Sequence, residues 1–220
     1  MKQILTKLKQ VSFESWIVLL FILFYGLGAA GLDRTHSLDL FITILPYSLL
    51  GVTALLFLVH RNWSLKQIMV FLSVAIIGYG IEVAGVITGH VFGKYSYGST
   101  LGFKVFQTPL LIGLNWLMLI YCVYLITKKT ALPVILQVIA GSMLMVFYDI
   151  IMEPVAIHLD MWSWKGNDVP LQNYLAWFVI SAVMLTIFQL AKLKYQNVLA
   201  SKLFFIQICF FIALNLILFW

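Results

Sequence analysis

Glu82, Asp149 and Glu153 are the residues of this chain best suited to do chemistry, because each is an ionisable group set within or at the end of an apolar stretch. Such groups are costly at membrane depth and mark functional sites by default. Asp149 and Glu153 are four apart and project from one side of a helix. Two carboxyls so close, and partly desolvated, do not both ionise easily. One would then serve as general acid and the other as general base at neutral pH. The bland alternative is a structural pair answering Arg34, Lys94 or Lys104. Glu82 shares a helix face with Gly78, Gly85 and Gly89, at offsets of −4, +3 and +7. That strip admits either a flat ligand or, as in small-xxx-small packing, a second helix. Asp33, Asp39, Asp160 and Asp168 fall at the same end of the apolar stretches, and Glu14 alone at the other.

The elements that must position these groups are membrane helices. The chain is 63% hydrophobic and 10% charged, whereas soluble domains are ~25% charged. Seven apolar stretches approach the ~20 residues that cross a bilayer: 16–32, 38–59, 65–88, 105–127, 131–151, 171–191 and 203–220. Pro154 is expected to fray the fifth helix near Glu153. The fold expected is all-α, a polytopic bundle of about seven transmembrane helices, with residues 1–220 forming a single integral-membrane domain. Gly28-Ala29-Ala30-Gly31 reads as a close-packed helix end in a retained first span, not a cleavage site. Ten Lys and Arg residues fall on the side of the N-terminus and four on the other. The positive-inside rule makes the N-terminus cytoplasmic and the acidic end external, or periplasmic in a bacterium. The net charge of +6 comes from these scattered anchors and gives no nucleic-acid surface.

Two long connections lie at the acidic end, 89–104 and 152–170. The first, with Tyr95, Tyr97 and several glycines, suits an ordered loop or short hairpin capping a pocket. In the second, Trp162, Trp164, Tyr174 and Trp177 read first as an interfacial belt. Asn115 and Asn173 are amides that would hold helices together or orient a water. Cys122 and Cys209 have no ligand or redox spacing. His36, His90 and His158 share the acidic end without any helical metal-ligand spacing, and no metal is expected. No lysine lies in a helix core to hold a retinal, and the lysine-rich halves carry no acids for a proton relay.

Three blocks, GYGIEVAGVITGHVFGKYSYGSTLGFKVFQTPLLIGLNWLML (78–119), YDIIMEPVAIHLDMWSW (148–164) and VPLQNYLAWF (169–178), resemble the membrane carotenoid biosynthesis proteins of the CruF type. The resemblance is strongest over 78–178, and Glu153-Pro154 stands where the family pattern has Asp-Pro. It implies a carotenoid 1',2'-hydratase, as in the bisanhydrobacterioruberin hydratases. Such an enzyme adds water, without a cofactor, to the terminal C1'=C2' double bond of an acyclic ψ end group of lycopene or γ-carotene type. Glu82, Asp149 and Glu153 are then the catalytic carboxyls. Gly78, Gly85, Gly89, Tyr97, Asn115, Trp162, Trp164 and Asn173 would surround the substrate. The partners expected are a carotenoid drawn from the bilayer, water, and other enzymes of the same pathway, with the protein in a bacterial inner membrane. The alternatives are a lycopene-cyclase-like enzyme, in which an internal alkene captures the cation, and a carotenoid-binding protein without catalysis.

Overall fold

The structure is a computed structural model that describes residues 12–32 and 38–220. Asp33, Arg34 and His36 lie outside the described residues. Seven helices are described: α1 (Phe13–Leu32), α2 (Leu38–Leu58), α3 (Leu65–Thr88), α4 (Leu111–Thr127), α5 (Val134–His158), α6 (Leu171–Ala191) and α7 (Ala200–Phe219). Four short strands accompany them: β1 (Tyr95–Tyr97), β2 (Lys104–Val105), β3 (Thr108–Pro109) and β4 (Trp162–Trp164). Five helices (α1, α3, α5, α6 and α7) are long and apolar enough to cross a membrane, while 42–58 and α4 are apolar but shorter. Their outward faces present Leu72, Ile76, Ile135 and Val179, each more than half exposed. A soluble surface does not carry so continuous an apolar coat, and the chain is a multi-pass membrane protein.

α4 is the hub. Trp116 through Leu125 are all buried, and the helix packs on α2, α3, α5, α6 and α7. A helix apolar all round belongs inside a bundle. Close approach on two sides depends on glycine. A Cβ on Gly113 would stand 2.6 Å from the Ala75 carbonyl of α3, and one on Gly141 of α5 would stand 2.6 Å from Leu185 of α6.

Helix boundaries explain most departures from the sequence reading. The fourth span begins at Leu111 and not at 105, because 104–109 closes a β2–β3 hairpin with Phe106 and Gln107 at positive φ. Such two-residue turns match the twist of the paired strands. The expected fraying at Glu153 does not occur: α5 runs through Pro154 to His158. Pro154 removes one ladder bond, and a neighbouring helix steadies the region, since Asn215 Nδ2 of α7 donates to the Ile151 carbonyl at 2.8 Å. Buried partners of this kind let membrane helices keep a proline. The last helix starts at Ala200 and not at 203.

β1 and β4 form an antiparallel lid over the acidic end, pairing Tyr95 with Trp164, Ser96 with Ser163 and Tyr97 with Trp162. Strand alternation turns the serines outward and all four aromatic rings toward the helices. Trp162, Trp164 and Trp177 are buried, so they wall the interior and do not form the interfacial belt expected of them. Gly98 sutures the lid. Its N–H donates to the Met161 carbonyl at 2.9 Å, and an added Cβ would stand 2.0 Å from the Asp160 carbonyl oxygen. Gly98→Ala must therefore push the two connections apart, costing about 1–3 kcal/mol as overpacking does. We expect lower thermal stability in detergent and a red-shifted tryptophan emission as Trp162 and Trp164 become wet. Unchanged emission and stability would count against this account of the lid.

Candidate active site: three carboxyls under an aromatic lid

The C-terminal ends of α3 and α5 and the N-terminal ends of α4 and α6 meet beneath the lid. They surround a cavity of about 30 Å³ lined by Glu82, Asp149, Glu153, Asn115, Asn173, Tyr95, Tyr97 and the indoles of Trp162, Trp164 and Trp177. One water needs ~10–15 Å³ of such space and several polar partners, so a water or two fit here. All three carboxyls are at most 4% exposed. The only ion pair among the described residues is Arg61 with Glu14, at 2.9 Å and at the other end of the protein. The structural pairing of these carboxyls with Lys94 or Lys104 is absent, and the Lys104 ammonium donates instead to the Tyr97 carbonyl at 2.6 Å.

Neutral donors satisfy the carboxyls, and they do so unequally. Glu82 accepts three bonds: Tyr95 Oη at 2.6 Å and Tyr97 Oη at 2.7 Å on Oε2, and Trp116 Nε1 at 2.9 Å on Oε1. Burial and the nearby Glu82 charge push both phenols above their usual range, so both remain donors at any working pH. Glu153 Oε1 accepts the Trp162 indole at 2.8 Å and the Trp164 indole as well, while no bond falls on Oε2. Asp149 Oδ2 accepts one bond, from Asn173 Nδ2 at 2.7 Å. Its Oδ1 is buried without a hydrogen-bond partner. Native structures rarely leave such an atom unpaired without reason.

Local sequence explains why these donors arrive. Gly78 leaves room for Trp116, whose Cβ would stand 2.6 Å from a Cβ at 78, and the indole then reaches Glu82 one turn further along α3. Gly85 does the same for Phe92 and Tyr95, at 2.7 and 3.0 Å. Gly89 ends α3 in the left-handed region at φ 67°, as helix-terminating glycines do. These three glycines contact protein groups and do not line the cavity. The other sequence-selected residues, Tyr97, Asn115, Trp162, Trp164 and Asn173, do line it. The sequence alone does not single out Tyr95 and Trp116 as partners of Glu82. Period-2 spacing from Tyr97 places Tyr95 on the same strand face, whereas nothing local announces that Trp116 reaches Glu82. Among the described residues, no group of three or more His, Cys, Asp and Glu side chains stands close enough to hold a metal.

A wider, apolar groove adjoins this cavity. It holds about 370 Å³ between α1, α2, α4, α5 and α7, and shares Ile112, Asn115, Met152 and Trp162 with the carboxyl cavity.

No solved structure matches the chain. A 133-residue segment is 25% identical to the bisanhydrobacterioruberin hydratase of Haloarcula japonica, covering 54% of this chain. The chain spans only 44% of that relative's length. The family described as carotenoid biosynthesis protein matches residues 44–220, which include every residue of the cavity. By that match over most of its length, this chain belongs to the carotenoid biosynthesis protein family.

Proposed function

We propose that the protein hydrates the terminal C1'=C2' double bond of an acyclic carotenoid end group, using carboxyl groups and water alone. The observation that carries this reading is the unequal satisfaction of three buried carboxyls around a water-sized cavity. A carboxylate needs several donors, while a protonated carboxyl needs few and carries a donor of its own. Glu82 and Glu153 are thus held as anions, and Asp149 carries the proton on its unpartnered Oδ1.

The steps balance without another reactant. Asp149 gives its proton to C2', and the alkene electrons form the new C–H bond. The tertiary cation left at C1' is steadied by the Glu82 and Glu153 charges and by the surrounding aromatic faces, each worth ~1–2 kcal/mol when desolvated. Water, donating a hydrogen bond to the free Glu153 Oε2, attacks C1' and gives up that proton to the same oxygen. The proton returns to Asp149, one turn away on α5, and a tertiary alcohol leaves. Asn115 and Asn173 orient the water and the acid. The relative's printed name, a hydratase, supports the reaction class. On this reading the lysine-rich end faces the cytoplasm of a bacterial inner membrane and the lid faces outward.

Expression in a host that accumulates lycopene or γ-carotene tests the reading. The expected product is heavier by one water and, in isotopically labelled water, carries the label as a hydroxyl. An isomer of unchanged mass would replace hydration with cyclisation. Unchanged pigment bound to the protein would leave a binding role.

A further inference from the structure

We infer that the apolar groove beside the cavity is the cradle for one half of a long hydrocarbon, entered sideways from the bilayer between α1 and α2. This deepens the hydratase reading and rests on it. None of the groove-lining residues carries a charge. Its rim residues Phe24, Leu27 and Ile44 are 38, 69 and 40% exposed on the lipid side, so the opening faces hydrocarbon. Away from that rim the groove meets the carboxyl cavity through Asn115, Met152 and Trp162. An occupant in contact with both must be apolar along its length and reactive at its tip.

The dimensions decide how much of the occupant is held. Tyr148 and Met152 of α5, and Leu159 that caps this helix, line the groove along one edge. The eleven steps from 148 to 159 cover ~16 Å at ~1.5 Å each, about half of the ~30 Å hydrocarbon thickness. The inner end is closed by a polar tie in which Gln207 Nε2 donates to Tyr25 Oη at 2.8 Å and Tyr148 Oη donates to Gln207 Oε1 at 3.5 Å. That tie fixes α1, α5 and α7 to one another. A membrane-length polyene therefore keeps its second half in lipid. A symmetric substrate must leave and re-enter, tip first, before its other end can react.

The test fills the groove without touching the carboxyls. A Cβ on Gly28 would meet only the Phe210 ring, at an ordinary 3.5 Å, so Gly28→Leu occupies the groove without straining α1. Ser48→Phe does so from α2. Leu72→Phe, on a face directed at lipid, is the control. In a carotenoid-producing host, each groove variant should lower the hydrated product and the pigment retained by the purified protein at least tenfold, with the control unchanged. With wild type and a symmetric substrate, the singly hydrated product should rise before the doubly hydrated one. Groove variants that insert into the membrane and match wild type in both readouts would overturn the inference while leaving the hydratase intact. Should one variant fail to insert, the other, on a different helix, decides. Pigment lost from the groove variants, with no water added even by wild type, would do the reverse: the cradle would stand and the hydratase reading would fall.

Discussion

Asp149→Asn is expected to abolish hydration while leaving the protein folded and in the membrane. The geometry makes this substitution unusually clean. The asparagine carbonyl oxygen takes the place of Oδ2 and accepts the Asn173 amide, as the carboxyl does at 2.7 Å. Its NH2 group then falls at Oδ1, where the protonated carboxyl already keeps a donor without a partner. No donor is set against a donor, so stability should stay within about 1 kcal/mol of wild type, as for substitutions that break no network. What is lost is the transferable proton. An amide cannot protonate an alkene, and removing a positioned acid costs ~10²–10⁴-fold in rate. Mass analysis of pigments from cells with equal amounts of membrane-inserted protein reads this loss. Full activity in the variant would remove Asp149 from the mechanism and with it the assignment of the acid by donor count.

That assignment shows where the sequence stops being sufficient. The α3 and α6 helices run over the residues expected, 65–88 and 171–191, because unbroken apolar runs between polar ends define them. The four-residue spacing of Asp149 and Glu153 and the depth of Glu82 were equally legible, since a helix face follows from periodicity alone. The lid was not. Residues 95–97 pair with 162–164 across an intervening pair of helices, and no local pattern in either segment names the other as its partner. Trp162 and Trp164 therefore read as interface anchors, when in fact their N–H groups point inward to Glu153. The length of α5 is hidden for a related reason. Pro154 predicts a break in isolation, but tertiary contacts such as Asn215 with the Ile151 carbonyl outweigh one missing bond. The glycine strip is visible in the sequence, but its purpose is not. The nearest atoms show that Gly78 and Gly85 admit the donors of Glu82.

Glu82→Gln is expected to differ from Asp149→Asn by damaging stability as well as chemistry. Three donors converge on Glu82, and an amide offers a single acceptor oxygen. Because the Trp116 indole can only donate, the new oxygen must face it and the new NH2 must face the two phenols. Both hydroxyls then have to turn. Tyr95 has a second acceptor within reach, the Glu82 backbone carbonyl at 3.4 Å, whereas Tyr97 Oη is left with the Tyr95 hydroxyl, a poorer acceptor than the carboxylate, and its proton is badly satisfied in a buried site. A buried polar group left unsatisfied costs ~1–3 kcal/mol, and the lid strand that carries Tyr97 should loosen with it. Loss of the anion beside the forming cation should lower the rate a further ~10²–10³-fold, the scale of a single preorganised electrostatic contact. The double variant Glu82→Gln/Tyr97→Phe separates the two effects, because it deletes the badly satisfied proton without restoring the charge. Its thermal midpoint in detergent should climb back toward wild type while hydration stays lost. Recovery of hydration along with stability would mean that Glu82 holds the lid and takes no part in steadying the cation.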